Sequence, residues 1–227
     1  MNNELFVTAD GSHSLRSEHF GVPYHSVHGA IQESRHVFID AGLAPLLMNK
    51  PGEVRILEMG LGTGLNALLT VQEAAAHPQV NFVYEAYELY PLGDKWAEKL
   101  NYTELLDSDA GQIRQFLYGP EGKWLVERDN FSFRKHQADF LRQQQRPYAP
   151  ASFDLIYYDA FAPASQPELW TPEAMQVCYD ALKPGGVFVT YCAKGQFKRD
   201  LRDTGFRVEP LPGPPGKREM TRGRKIG

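Results

Sequence analysis

The sequence Glu58-Met59-Gly60-Leu61-Gly62-Thr63-Gly64 lies between an apolar run at 54–58 and a leucine- and alanine-rich run at 65–76. The first run has the length and composition of a buried strand, and the second has the apolar spacing of a helix. Three glycines at alternate positions allow the backbone to turn sharply and to approach a ligand that a Cβ would obstruct. The stretch therefore predicts a strand, a ligand-binding turn and a helix.

Strands and helices alternate along the rest of the chain. Further strands are predicted at 81–88, 131–136, 154–158 and 187–192, with candidate closing strands at 206–209 and 219–221. Helices are predicted at about 30–41, 92–100, 172–182 and 196–204, and a helical insertion at 101–130. This alternation is typical of an α/β fold in which helices cover both faces of a mostly parallel sheet, here of seven strands. Ligands of such sheets bind beyond the carboxyl ends of the strands.

The length and composition are those of an ordinary globular protein. A chain of 227 residues is long enough for one α/β domain and short for two, so we expect residues 1–50 to form a lead-in with one helix and residues 51–227 the core. No run approaches the roughly 20 apolar residues that span a membrane, and no signal peptide is evident at the start. Cys178 and Cys192 are too few for a disulfide framework or a zinc site. We expect a cytoplasmic protein without metal.

Charge is distributed unevenly along the chain. From Lys194 onward there are ten Lys and Arg against four Asp and Glu, whereas the whole chain carries 24 and 28. A basic carboxyl-terminal region is typical of a surface that meets a polyanion. A solvated basic tail explains the same charge equally well.

Acidic residues follow successive predicted strands. Glu58 precedes the glycine turn, and its carboxylate would repel a pyrophosphate but attract the cationic methionyl end of S-adenosylmethionine. Glu88 stands where an acid can accept hydrogen bonds from ribose hydroxyls, and Asp139 where an adenine amino group can be recognised. Each acid alone is better explained as a solvated charge or a helix cap. Together they favour an S-adenosylmethionine site formed by Glu58, Gly60, Gly62, Gly64, Asn66, Glu88 and Asp139.

The rival interpretation of the turn is a dehydrogenase. Its dinucleotide-binding pattern is GxGxxG, whereas this chain has GxGxG followed by Asn66. The spacing therefore counts against a nicotinamide cofactor.

A second motif follows the strand predicted at 154–158. Its sequence is Tyr157-Tyr158-Asp159-Ala160-Phe161-Ala162-Pro163, with Gln166-Pro167-Glu168-Leu169-Trp170 close behind. Aromatic residues and prolines at a strand end can form a rigid surface for a flat substrate, and Asp159 can orient an amine and accept its proton. The alternative is that Asp159 caps the next helix while Phe161 and Trp170 only pack.

Several segments in this order resemble one methyltransferase family. They are Ser17-Glu18-His19-Phe20, Tyr24-His25-Ser26, Glu33-Ser34-Arg35-His36-Val37-Phe38, the glycine turn, Asp159-Ala160-Phe161-Ala162-Pro163, Pro167-Glu168-Leu169-Trp170-Thr171 and Gly216-Lys217-Arg218-Glu219-Met220. The chain from about residue 15 to 223 resembles the MnmD enzymes and the matching half of bifunctional MnmC, which complete 5-methylaminomethyl-2-thiouridine at the tRNA wobble position.

The resemblance implies a class I, Rossmann-like methyltransferase that transfers a methyl group from S-adenosylmethionine to the amine of 5-aminomethyl-2-thiouridine in tRNA. It implies Asp159 as the catalytic residue, with Phe161, Trp170, Lys217 and Arg218 at the substrate. The bifunctional relatives also carry a flavin-dependent oxidase domain, for which this chain has no room, so another enzyme is expected to supply the aminomethyl group. Met59 and a shortened stretch between the second and third strands depart from the family pattern.

Two other functions remain open from the sequence. One is a related transferase acting on a small amine, such as an aminopropyltransferase, which would have no need of the basic carboxyl-terminal region. The other is a non-catalytic module that binds tRNA or the cofactor.

Overall fold

The computed structural model describes residues 3–123, 125–142 and 148–227. An eight-stranded sheet forms its centre, and a separate two-stranded sheet precedes it. The strands are β1 (Glu4–Val7), β2 (His13–Arg16), β3 (Glu53–Met59), β4 (Asn81–Tyr87), β5 (Leu125–Arg128), β6 (Phe131–His136), β7 (Phe153–Tyr158), β8 (Leu182–Thr190), β9 (Phe206–Pro212) and β10 (Glu219–Lys225).

The order of the large sheet is β5-β6-β4-β3-β7-β8-β10-β9. The five strands from β6 to β8 pair in parallel, and β10 pairs antiparallel with both β8 and β9. This arrangement confirms the mostly parallel α/β sheet that the strand and helix alternation predicted, and the class I methyltransferase fold that the resemblance implied. The sheet has one strand more than the seven expected, because β5 pairs antiparallel with β6 inside the region predicted to be a helical insertion.

The α-helices cover both faces of this sheet. They are α1 (Ala30–Ser34), α2 (Ala44–Leu47), α3 (Leu65–Ala76), α4 (Tyr102–Leu105), α5 (Ala110–Tyr118), α6 (Pro172–Ala181) and α7 (Gly195–Thr204). The α6 helix begins as predicted, with Thr171 accepting a hydrogen bond from the Ala174 N–H at 3.3 Å. None of the helices in the described part of the chain has the length and apolar character needed to cross a membrane.

Two predicted helices differ in the structure. The helix at 30–41 does not end near Gly42, because a π-helix, Arg35–Leu43, joins α1 to α2. A Cβ on Gly42 would lie 2.9 Å from Val189, so this glycine permits close packing on β8 rather than ending the helix. The helix predicted at 92–100 is only a 3-10 turn, Asp94–Trp96. The apolar residues that predicted this helix are spaced by four because the irregular segment buries three side chains, Leu92, Trp96 and Leu100.

The carboxyl ends of the parallel strands carry the predicted motifs. Glu88 directly follows β4, Asp139 lies three residues after β6, and Asp159 directly follows β7. Because these strands are neighbours with the same direction, their ends lie along one edge of the sheet. The fold therefore brings together residues that are far apart in the sequence.

Candidate active site

A cavity of about 370 Å³ lies at this edge of the sheet. Seven of the predicted site residues line it: Gly60, Gly62, Glu88, Asp139, Asp159, Phe161 and Lys217. The other five, Glu58, Gly64, Asn66, Trp170 and Arg218, lie outside its wall. The cavity thus collects most of the predicted cofactor and substrate residues in a single space.

The glycine turn has the geometry that its sequence predicted. Gly60, Gly62 and Gly64 all have positive φ, at 88°, 50° and 76°. A Cβ on Gly60 would lie 2.5 Å from the backbone oxygen of Asp159, and one on Gly62 would lie 3.0 Å from the Tyr24 ring. Gly64 is the last residue before α3. The turn can therefore pack closely against Asp159 and Tyr24 because Gly60 and Gly62 have no side chains.

Glu58 and Asn66 form a buried support behind the cavity wall. Glu58 is 0% exposed, and one of its carboxylate oxygens accepts a hydrogen bond from Asn66 Nδ2 at 2.9 Å. The same amide nitrogen donates to Asp159 Oδ2, also at 2.9 Å. Burial raises the pKa of Glu58 well above its usual value, and the charge of Asp159 adds to this. Asn66 therefore couples the cofactor turn to the proposed catalytic acid.

Two further acids face the cavity near the turn. Glu88 accepts hydrogen bonds from the backbone N–H groups of Gly62 at 2.9 Å and Tyr90 at 2.8 Å. Asp139 accepts one from the Leu141 N–H at 2.9 Å and lies 3.3 Å from the Arg142 guanidinium. Burial raises the pKa of Glu88. Each carboxylate oxygen can accept a second hydrogen bond, so both acids retain capacity for a ligand.

Asp159 has an unusual electrostatic setting. Burial, together with the nearby charge of Glu33, raises its pKa to about 7, although the bond from Asn66 and the charge of Lys217 oppose the shift. Glu33 lies in α1 and pairs with Lys217. A carboxyl group that titrates near neutral pH can both hold and release a proton under physiological conditions.

Phe161 belongs to an aromatic wall over the cavity. Its ring lies 4.6 Å from that of Phe20 and 5.0 Å from that of Tyr24, both in the lead-in. Trp170 is 6% exposed, and its indole N–H donates to the Phe161 carbonyl at 2.7 Å. The structure thus places Trp170 behind Phe161 rather than against the cavity.

The basic residues of the carboxyl-terminal region differ in their surroundings. Lys198 pairs with Glu219 at 2.6 Å, and Arg199 donates to Gln196 at 2.6 Å. Arg218 is exposed and lies with Lys194 along a groove next to the cavity. Only Lys217 extends into the cavity itself.

Sequence reasoning assigned no role to several residues of the cavity wall. Glu33, Tyr24 and Tyr191 all line it, and Tyr191 donates from its hydroxyl to the Ala160 carbonyl at 2.8 Å. Glu33 and Tyr24 stood only inside segments quoted for their resemblance to the family. A single acid in a short amphipathic helix gives no local signal of such a position, because its partner Lys217 is 184 residues away.

His25, in the lead-in, belongs to the packing of this wall. His25 Nε2 lies 2.8 Å from the Thr63 hydroxyl in the glycine turn. Burial lowers the pKa of His25 to about 4, so the ring is neutral at pH 7. Within the described ranges, no group of three His, Cys, Asp or Glu residues is placed to hold a metal ion.

Comparison with known proteins identifies the family. A family model described as S-adenosyl-L-methionine-dependent methyltransferase matches residues 137–226. The tRNA 5-methylaminomethyl-2-thiouridine biosynthesis bifunctional protein MnmC of Idiomarina loihiensis is 31% identical over 212 residues, which cover 87% of this chain and 34% of that protein. The crystal structure of MnmC2 from Aquifex aeolicus has a TM-score of 0.76 and 25% identity, covering 98% of this chain and 70% of that one. The chain belongs to the MnmC methyltransferase family.

Members of the MnmC methyltransferase family use S-adenosyl-L-methionine. The chain spans about a third of the length of the curated MnmC relatives that it matches. A spermidine synthase from Thermotoga maritima, with a TM-score of 0.54 and 17% identity, shares the fold alone.

The residues present fit this cofactor. The second carboxylate oxygen of Glu58 is buried and makes no hydrogen bond, and a cationic ligand at the turn would stabilise its charge. The lack of a Cβ on Gly60 lets the turn pack against the Asp159 backbone, so the turn and Asp159 border the same cavity. The fit agrees with the family assignment.

Proposed function

We propose that this enzyme transfers a methyl group from S-adenosylmethionine to the primary amine of 5-aminomethyl-2-thiouridine at the wobble position of tRNA. The observation that carries the proposal is the position of Asp159, fixed by Asn66 in the same cavity as the glycine turn. The names of the MnmC relatives, which refer to 5-methylaminomethyl-2-thiouridine biosynthesis in tRNA, support the same substrate. The proposal assigns the whole chain to one methyltransferase unit that acts on tRNA in the cytoplasm.

The cavity then has two sides. The cofactor side consists of the turn at 60–64, Glu88 and Asp139, and the acceptor side consists of Asp159, Phe161, Glu33 and Lys217. S-adenosylmethionine supplies an activated methyl group, so positioning accounts for much of the catalysis. On the cofactor side, we assign the ribose hydroxyls to Glu88 and the adenine amino group to Asp139.

Asp159 handles the proton of the acceptor amine. A primary alkylamine is largely protonated at pH 7, and its lone pair must be free before it attacks a methyl group. Asn66 occupies Asp159 Oδ2, so Oδ1 remains to accept a hydrogen bond from the amine and to hold its proton. The raised pKa of Asp159, about 7, suits a group with this role.

The proposal is tested with labelled S-adenosylmethionine and tRNA that carries the unmethylated 5-aminomethyl base. We expect labelled 5-methylaminomethyl-2-thiouridine after nuclease digestion, and none with tRNA that lacks the aminomethyl group. Cofactor binding without methyl transfer would favour a non-catalytic module instead. Transfer of label to polyamines in place of tRNA would favour the small-amine transferase.

A further inference from the structure

The acceptor side contains a single basic side chain of the Lys or Arg type. Among the described residues that line the cavity, five are acidic, namely Glu33, Glu88, Asp139, Asp159 and Glu168, and only Lys217 is an ammonium. His25 is neutral at pH 7 because its pKa is lowered to about 4. An ammonium in a cavity that must receive a cationic amine is an electrostatic cost unless it serves the acceptor in another way.

Lys217 is held firmly in place. Its ammonium pairs with Glu33, whose side chain is only 8% exposed, and lies 4.0 Å from the centre of the Tyr191 ring. Glu33 is fixed in turn, since its other oxygen accepts a hydrogen bond from the Ser26 N–H at 2.7 Å. An ammonium has three donors, and the bond to Glu33 uses one of them. The ammonium therefore retains N–H donors that can form hydrogen bonds with a ligand in the cavity.

Lys217 and Asp159 face the same part of the cavity. The Lys217 ammonium lies over the Tyr191 ring. The Tyr191 hydroxyl donates a hydrogen bond to the carbonyl of Ala160, the residue after Asp159. The charges of both Glu33 and Lys217 act on Asp159. An acceptor whose amine reaches Asp159 therefore places its neighbouring atoms beside Lys217.

The chemistry of the acceptor identifies the atoms that would lie beside Lys217. In a 5-aminomethyl pyrimidine, the aminomethyl group is bonded to C5, and the adjacent ring atom C4 bears an exocyclic group. This group is a carbonyl in uracil and 2-thiouracil, and an amino group in cytosine. An ammonium donates hydrogen bonds and accepts none, so it can pair with the carbonyl but not with the amino group.

We propose that Glu33 holds Lys217 as the hydrogen-bond donor to the C4 carbonyl of the acceptor, so that the pair selects uridine over cytidine. This inference rests on the proposed function. Lys217 is the specificity-determining residue, and Glu33 is a positioning residue that acts through it.

A purely structural role does not account for the pair. The loop before Lys217 is already held on the lead-in by His36, whose Nε2 lies 2.9 Å from the Pro212 carbonyl, and by the contact of Gly216 with His28. A partly buried ion pair also adds little net stability compared with apolar residues of similar size. The pair is thus not required to close the loop.

The experiment compares two synthetic anticodon stem-loop RNAs that differ only at the wobble base, 5-aminomethyl-2-thiouridine in one and 5-aminomethyl-2-thiocytidine in the other. For the wild-type protein, we expect kcat/KM to favour uridine by roughly ten- to a hundredfold, the range of one charge-assisted hydrogen bond. In Lys217→Met the ratio falls close to one, mainly through loss on uridine. In Glu33→Gln it falls in part, because the lysine is no longer anchored.

Lys183→Met is the matched control. This substitution breaks the ion pair between Lys183 Nζ and Asp154 Oδ2, which are 2.9 Å apart at the opposite end of the sheet. The Lys183 side chain is about as exposed as that of Lys217. We expect this variant to keep the wild-type ratio. Glu33→Gln made in the Lys217→Met background should cause no further change if Glu33 acts through Lys217.

An unchanged ratio in Lys217→Met, or no preference in the wild-type protein, overturns the inference while leaving the proposed function intact. Absence of product from both RNAs with the wild-type protein overturns the proposed function and the inference together. If Lys217→Met does not fold, Glu33→Gln decides, because its amide oxygen can still accept the bond from Ser26. An unchanged ratio in that variant would also overturn the inference.

Discussion

The two sides of the cavity are built in different ways. The cofactor side is mostly backbone, formed by one continuous turn at 60–64 whose shape follows from positive φ at three glycines. The acceptor side is mostly side chains, contributed by α1, the loop after β7 and the loop before β10. A backbone site is therefore sensitive to any added Cβ, whereas a side-chain site can be altered one charge at a time.

The largest expected effect is that of Gly60→Ala. The new Cβ would lie 2.5 Å from the Asp159 carbonyl at a φ of 88°, so both sterics and backbone strain oppose it. We expect loss of detectable S-adenosylmethionine binding by calorimetry and a free energy of unfolding lower by about 2–4 kcal/mol.

Gly185→Ala is the control for strain alone. Gly185 has a similar φ of 77°, but a Cβ there would meet no atom within 4 Å. This variant should lose only about 1 kcal/mol of stability and bind the cofactor normally. Equal losses of cofactor binding in the two variants would contradict the role assigned to the close approach of Gly60 to Asp159.

Asp159→Asn tests the acceptor side without disturbing the turn. The amide can still accept the bond from Asn66, but it cannot hold the proton of the amine. We expect kcat to fall by roughly 10²–10³-fold, as for loss of a general base, with cofactor affinity unchanged in calorimetry. Full turnover in this variant would contradict the role of Asp159 as the group that accepts the amine proton.

The pH dependence of activity follows from the same residue. Because the pKa of Asp159 is about 7, the carboxylate form increases as the pH rises through neutrality, and kcat/KM should rise with it. Glu33→Gln removes a charge that raises this pKa, so the rise should move to lower pH. The measurement is kcat/KM between pH 5.5 and 8.5 (roughly the range around this pKa). An unmoved profile would mean that another group limits the rate.

Stability should show the opposite trend. The folded-state pKa of Asp159 lies above its unfolded value, so this group favours folding most at low pH, and its contribution decreases as the pH rises toward 7. The free energy of unfolding of the wild-type protein, relative to that of Asp159→Asn, should therefore decline from about pH 4 to about pH 7, the interval between the two pKa values. Denaturant titration of both proteins without ligand measures this difference.

The smallest effect is expected at Trp170. Its indole supports the Phe161 carbonyl from behind, so Trp170→Phe removes one hydrogen bond worth about 1 kcal/mol. We expect a rise in KM for tRNA of roughly twofold to fivefold without a change in kcat, and a larger rise for Phe161→Ala. A larger effect at Trp170 than at Phe161 would show that the indole itself contacts the substrate.

The contrast between a cofactor side built from one continuous turn and an acceptor side built from distant side chains explains which features could be predicted from the sequence. The fold and the glycine turn were predictable because strand, turn and helix are encoded in adjacent residues, and Asp159 because it follows its own strand. The position of Glu33 was not predictable, since it depends on Lys217 and on a π-helix that no local pattern indicated. The β1–β2 hairpin and β5 were missed for a related reason. Both are short strands whose pairing, rather than their composition, defines them.

The contacts between the lead-in and the loop before β10 have a consequence for biosynthesis. Glu33 and His36 meet Lys217 and Pro212 across 184 and 176 residues. During translation, the cofactor side can pack once the chain up to β7 and Asp159 has emerged, but the acceptor half of the cavity is incomplete until the last strands are made. Contacts of such long sequence separation form late in folding. A nascent chain would thus acquire the capacity to hold the methyl donor before it can recognise an RNA.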